Sequence, residues 1–280
     1  MNRIISLLVW SAGFAAATSF AASFNEEVGL QLYSLRAQFI KSVPETLPKV
    51  KAFGFINVEL AGTYNLSPAA FKSMLKEYGL NPVSGHFPFE RYDEDPEAVA
   101  KDAKALGLKY AGCAWIPHKG DFNETDTKKA VEVFNRAGEV LAKHGIKFFY
   151  HCHGYEFRSH GDGTFMDVLM KETNPKNVAF EMDVFWVVHP GQDPVAWLEK
   201  YPNRWDLMHL KDMRKGVKGD FSGKSDVKDD VVLGTGQMDW PAILKAAKKA
   251  GVKHYFIEDE SPTSEQQIPQ TLEYLKTVKW

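Results

Sequence analysis

Short apolar runs alternate with longer amphipathic ones along most of the chain. The runs at 28–34 (VGLQLYS), 55–60 (FINVEL), 81–87 (NPVSGHF), 110–115 (YAGCAW), 147–153 (KFFYHCH), 179–183 (AFEMD), 205–211 (WDLMHLK) and 254–260 (HYFIEDE) have the length and content of buried strands. Between them, segments such as SPAAFKSMLKEYG, DPEAVAKDAKALG and DWPAILKAAKKAG carry apolar residues at helical spacing. Several open on Asp or Ser close to a Pro, and several close at Gly79, Gly107, Gly145 or Gly251, residue types that start and stop helices. Eight such units without a linker predict one α/β domain, a closed (β/α)8 TIM barrel. The open, doubly wound alternative would put a glycine-rich turn after the first strand, where this chain reads QLYSLRAQ. The charged stretch 214–231, RKGVKGDFSGKSDVKDDV, reads either as a lid over the barrel mouth or as a solvated loop.

The amino terminus departs from the pattern. Arg3 precedes an apolar stretch from Ile4 to about Ala17, and small residues follow around Ser19 and Ala21. That is the layout of a secretory signal peptide over residues 1–21, with cleavage expected after Ala21. The barrel domain is then 22–280, and the mature protein is expected to be exported, in the periplasm. A membrane anchor is the alternative, but the stretch is short for a span and lacks a charge on its far side. The chain has 34 basic and 36 acidic residues, one of the basic ones being Arg3. Nothing in that balance draws it to nucleic acid or to an anionic membrane. The expected partner is a small carbohydrate-like molecule, with association into a homo-oligomer left open. Cys113 and Cys152, the two cysteines, lie in apolar runs and read as buried thiols rather than a disulfide.

Polar residues collect where the strands end: Glu59, His86, His151, His153, Glu156, Glu181, Asp183, His209, Lys211, Asp212, Glu258 and Glu260. In a barrel those ends form one face, where catalytic groups gather. Carboxylates held together there repel one another unless a cation offsets them. Glu156, Asp183, His209 and Glu258, from four successive strands, therefore predict a site for one divalent ion, Mn²⁺, Co²⁺, Mg²⁺ or Zn²⁺. Period-two alternation puts Glu181 with Asp183, His209 with Lys211, and Glu258 with Glu260.

HCHGYEF at 151–157, FEMDVFWVVHPGQDP at 180–194, RWDLMHLKDM at 204–213 and FIEDE at 257–260 resemble the xylose isomerase-like TIM-barrel superfamily, in particular its sugar (phosphate) isomerase/epimerase branch. The resemblance implies a divalent metal held by a glutamate, an aspartate, a histidine and a second glutamate. Carried onto this chain, the last three are Asp183, His209 and Glu258. The first falls on Glu156, although many members place it within the fifth strand, where this chain has Tyr150 and His151; His151 or His153 could supply it instead.

The chemistry expected of such a site is proton abstraction beside a metal-bound carbonyl of an unphosphorylated sugar. Glu156 and Glu258 are the expected acid and base, with His153 and Lys211 as relay or enediolate-stabilising groups. His86, His151 and Glu260 are expected to face the substrate, with Trp115 and Trp186 packing on its apolar side. Isomerisation or epimerisation is the first reading. Elimination from a 3-keto-glycoside would use the same groups, a non-catalytic carbohydrate-binding barrel is a reading of another class, and a metal-dependent endonuclease lacks the basic face it would need.

Overall fold

The computed structural model describes residues 28–279. The expected signal peptide and its cleavage point lie outside the described residues. Eight parallel strands close into a barrel in chain order: β1 (Val28–Gln31), β2 (Asn57–Leu60), β3 (Asn81–His86), β4 (Tyr110–Cys113), β5 (Lys147–His151), β6 (Val178–Asp183), β7 (Trp205–Leu210) and β8 (His254–Ile257). A helix follows each: α1 (Val43–Ala52), α2 (Pro68–Glu77), α3 (Pro96–Leu106), α4 (Glu124–Lys143), α5 (Phe165–Glu172), α6 (Pro194–Lys200), α7 (Trp240–Ala250) and α8 (Ser264–Thr277). No helix among the described residues is long and apolar enough to cross a membrane.

The helices start and stop where the sequence says they should. The side chains of Ser67, Asp95, Asp193 and Asp239 each accept a backbone N–H of the first turn, ahead of a Pro at the first or second position. Gly107 and Gly251 cap α3 and α7 in the left-handed conformation.

All eight expected strands are present, but most end sooner than the apolar runs suggested. The charged tail 258–260 lies beyond β8, and His153 lies beyond β5. The backbone leaves the ladder there to build the loops of the mouth.

The interior is filled in layers. Tyr110, Phe149, Ala179, Leu207 and Phe256 pack together inside the barrel. Gly29 and Gly112 make that possible, since a Cβ on either would lie 2.5 Å from the ring of Phe256 or Phe149. Above this plug the same inward-facing register continues as His151, Glu181, Asp183 and His209, with His151 level with Glu181 and Asp183 level with His209. Two register shifts stand directly before Glu59 and Glu181. Such irregularities re-aim the side chains that follow them.

Both cysteines are buried free thiols. Burial pushes the Cys113 thiol up to about 12 and that of Cys152 well above its ordinary range.

Candidate active site

Two imidazoles and two carboxylates converge at the mouth. His151 Nε2 lies 3.1 Å from His209 Nδ1 and 3.3 Å from Asp183 Oδ2, and His209 Nδ1 lies 3.2 Å from Glu258 Oε2 and 3.6 Å from Asp183 Oδ2. All four residues are buried, and one ligand atom from each falls within 4.8 Å of every other. Two ring nitrogens facing each other need a proton or a cation between them. Two nitrogen and two oxygen donors suit a borderline divalent ion such as zinc, cobalt or manganese. The residues therefore fit a metal.

The strands explain who arrives. His151 and Asp183 end β5 and β6, His209 is the penultimate residue of β7, and Glu258 follows β8 directly. Asp183 also caps the short helix Val184–Val188, accepting from Trp186 N–H at 3.3 Å, which fixes its other oxygen toward the cluster.

On its far side His209 meets a second pair of carboxylates. Its Nε2 donates to Glu59 Oε1 at 2.7 Å and lies 3.2 Å from Glu181 Oε1. Glu59 is held by Gln31 Nε2 at 2.6 Å and by the Ser84 hydroxyl. An Nε2–H committed to Glu59 leaves the Nδ1 lone pair for a metal. His86 Nε2 bonds Glu181 Oε2 at 3.1 Å.

These contacts set the charge states. Burial alone would raise the Asp183 carboxyl, but the Lys211 ammonium and bonds from His151 and His209 hold it well below the usual range. Glu258 is held low against burial in the same way, by Lys211 and His209. Burial works against the charged form of His209, yet Glu181, Glu258 and Asp183 hold its pKa well above normal. His86 is raised against burial by Glu59 and Glu181. His153 goes the other way: burial, reinforced by His151, keeps it neutral.

A cavity of about 610 Å³ opens onto the cluster. His86, His151, His153, Trp115, Trp186 and Glu260 all line it, as does Glu258. His153 stacks on Trp186 at 5.0 Å and meets the edge of Trp115 at 5.4 Å. Gly223, Lys224, Ser225 and Val227 bring the charged loop to the cavity wall. That loop is anchored at its end by Asp230, beside the Lys211 ammonium at 3.7 Å.

Glu156 is not in the cluster, contrary to its expected place as first ligand and acid or base. Gly154, at φ +96°, turns the chain after β5, and the buried Glu156 carboxylate accepts from the Tyr150 hydroxyl and from His153 N–H at 2.9 Å. Tyr150 faces away from the barrel interior, against Phe134 of α4, so Glu156 sits with it in the layer between strands and helices. Burial raises its pKa. The place expected for it is taken by His151.

Lys211 also differs from expectation. It is 1% exposed, and its ammonium is shared among Glu260 at 2.5 Å, Glu258 at 3.5 Å and Asp230. Its charge helps hold Asp183 and Glu258 ionised rather than pointing into the cavity. Gln31 and Ser84, which fix Glu59, gave no signal in the sequence. Glu59 and Glu181 stood out as strand-end carboxylates but carried no role.

Residues 47–278 match the model of the xylose isomerase-like TIM barrel family. The chain belongs to that family. It is 28% identical over 232 residues to an inosose dehydratase from Geobacillus thermodenitrificans, covering 73% of this chain and 77% of that one. Among solved structures it superposes on a sugar phosphate isomerase/epimerase from Parabacteroides distasonis with a TM-score of 0.77 and 28% identity, covering 92% of this chain and 97% of the other. The fold also matches the IOLI protein, solved with a bound zinc atom, at a TM-score of 0.67 and 16% identity over 89% of this chain and 96% of that one.

Proposed function

We propose that this family member is a metal-dependent lyase that removes the proton beside the ketone of an unphosphorylated keto-glycoside and expels the anomeric group. That the chain is an enzyme acting on sugars is common ground with its relatives; the choice of reaction rests on the position of Glu156. Epimerisation by two carboxylates needs one on either face of the sugar. Here Glu156 lies outside the cavity, the two carboxylates that line it, Glu258 and Glu260, both follow β8, and the other groups beside the cluster are the imidazoles of His86, His151 and His153.

A divalent ion held by His151, Asp183, His209 and Glu258 would polarise the ketone and offset the charge that develops on its oxygen. His153, neutral and lining the cavity, takes the proton from the carbon next to the ketone. The C–H electron pair becomes the enolate, then returns to form the carbon–carbon double bond as the bond to the anomeric oxygen breaks. The departing oxygen takes a proton from His86, whose charged form Glu59 and Glu181 favour against burial. Trp186 and Trp115 give the sugar an apolar face to rest on. Among the described residues lining the cavity, Lys224 is the one lysine or arginine, which favours a neutral sugar over a phosphate ester. Export of the mature chain, expected from its first 21 residues, points the same way, since phosphorylated sugars belong mainly to the cytoplasm.

The test is incubation of metal-loaded protein with 3-keto-glycosides and unphosphorylated ketoses in D₂O, followed by NMR. Release of the aglycone with an unsaturated keto sugar is the expected result. Interconversion of ketoses with unchanged formula, and no aglycone, would replace elimination with isomerisation. That second reading has in its favour the isomerase/epimerase similarity at 28% identity.

A further inference from the structure

The cavity does not end at the metal cluster. Beside it runs a groove of about 290 Å³ walled by Phe87, Pro88, Phe89, Glu90 and Pro117. Cavity and groove share Ala61, His86, Ala114 and Trp115. Ala61 follows β2 and Ala114 follows β4, so they flank the end of β3 that carries His86. Most of the other strand-end positions around the mouth carry long or charged side chains; these two carry methyl groups, and the wall is open between them.

Apart from His86 and the exposed Glu90, the groove's surfaces are apolar. Phe87, Phe89, the two prolines and the Trp115 indole are flat or apolar, and Arg91 covers Phe87 at 5.6 Å. Trp115 is 37% exposed and Tyr33, across the cavity, 42%. His118 stacks on Trp115 at 5.1 Å and Tyr155 meets its edge at 4.8 Å, which holds the indole in place while leaving it open to the cavity and groove. Rigid aromatic surface left exposed beside a buried polar site is a platform for the apolar face of a ring. A cavity of 610 Å³ is already in the middle of the range for small-ligand sites, about 300–1,000 Å³. The groove is additional space that a single sugar at the cluster would not reach.

The geometry points to a leaving-group subsite: the groove between Ala61, Ala114 and Trp115 receives a neutral aglycone that is itself a ring, so the substrate class is ring-bearing glycosides rather than monosaccharides. This rests on the sugar-site reading above and adds to it which part of the substrate lies where. A second sugar and an aromatic aglycone share the required chemistry, a flat apolar face, and the experiment carries an arm for each.

The mature protein is titrated calorimetrically with methyl β-glucoside, cellobiose and phenyl β-glucoside. None has a ketone, so none can react, and the result does not depend on the chemistry proposed for the cluster. At least one of the two ring-bearing glycosides is expected to bind about tenfold or more tightly than the methyl glycoside. Ala114→Leu and, from the opposite wall, Ala61→Leu should each bring that ratio close to one, with melting temperature as the check on folding. Equal affinities for all three ligands in the wild type, or a preference that both substitutions leave intact, would overturn the subsite. Ring selectivity in a protein that fails to eliminate from keto-glycosides would retain the subsite and remove the lyase reading.

Discussion

Replacing Glu59 by Gln tests whether the far side of His209 governs the near side. Glu59 accepts from His209 Nε2 at 2.7 Å, from Gln31 at 2.6 Å and from Ser84, and it is fully buried. A glutamine can keep the first two bonds through its carbonyl and donate its amide to the Ser84 oxygen, so the packing survives and the charge goes. An imidazole whose N–H no longer faces a carboxylate is a weaker ligand, and loss of such a partner costs about 10–100-fold in metal affinity. At a metal concentration about 100 times the wild-type Kd, binding stabilises the fold by ~2.7 kcal/mol. The same concentration would leave the variant with ~1.4 to ~0.4 kcal/mol. For a chain this long each kcal/mol moves Tm by about 2–4 °C. The metal-induced rise in Tm should thus fall from roughly 5–11 °C to about 1–6 °C. Calorimetric titration of chelator-stripped protein gives the affinity directly, and scanning fluorimetry gives the shift. Wild-type affinity in Glu59→Gln, alongside an Asp183→Asn variant that no longer binds metal, would show that Glu59 only fills space.

Ligand and base should separate in the other variants. Glu258→Gln is expected to lose both metal and turnover, while His153→Asn keeps the metal and loses turnover by a factor on the order of 10² or more; elemental analysis beside a rate assay distinguishes them. Asp230, 3.7 Å from Lys211, has its pKa raised to about 7 mainly by burial. A carboxyl raised on folding adds stability below its unfolded value near 3.8 that is lost as pH climbs through about 7. Asp230→Asn should accordingly raise Tm relative to wild type at pH 8 more than at pH 5, and a difference that does not vary with pH would remove that assignment. Mass spectrometry of the native product is expected to find a chain beginning near Ala22; retention of Arg3 in a cytosolic fraction would end the export reading.

The barrel was legible because its signals are local: an apolar run, a cap, a stop, repeated eight times. Three of the four clustered side chains were legible for a related reason, since period-two alternation from Glu181, Lys211 and Glu260 leads to Asp183, His209 and Glu258. The fourth, His151, stood only as an alternative to Glu156, because that rule was left unapplied to β5. Phe149 and His151 share a face, and Tyr150 faces the helices, so the inward ligand in that strand is His151. Glu156 looked like a ligand by residue type alone. Its true partner, the Tyr150 hydroxyl, is reached through a left-handed turn at Gly154 whose direction the sequence does not specify. The Gln31–Glu59–Ser84 support was illegible because it is made by three strands in register, with a shift between Val58 and Glu59 that no one strand encodes.

The two unreactive thiols give the molecule internal clocks. Cys152 immediately follows His151, and its sulfur lies 3.9 Å from the backbone oxygen of Asp183, so an aqueous thiol reagent meets it when β5 and β6 part. Cys113 keeps the corresponding time for β4, four residues before the groove wall at Pro117. Labelling rates of the two sulfurs, compared with and without bound metal, would report how often each pair of staves opens. Slowing at Cys152 beyond that at Cys113 would trace the grip of the ion along the barrel rather than across the whole fold.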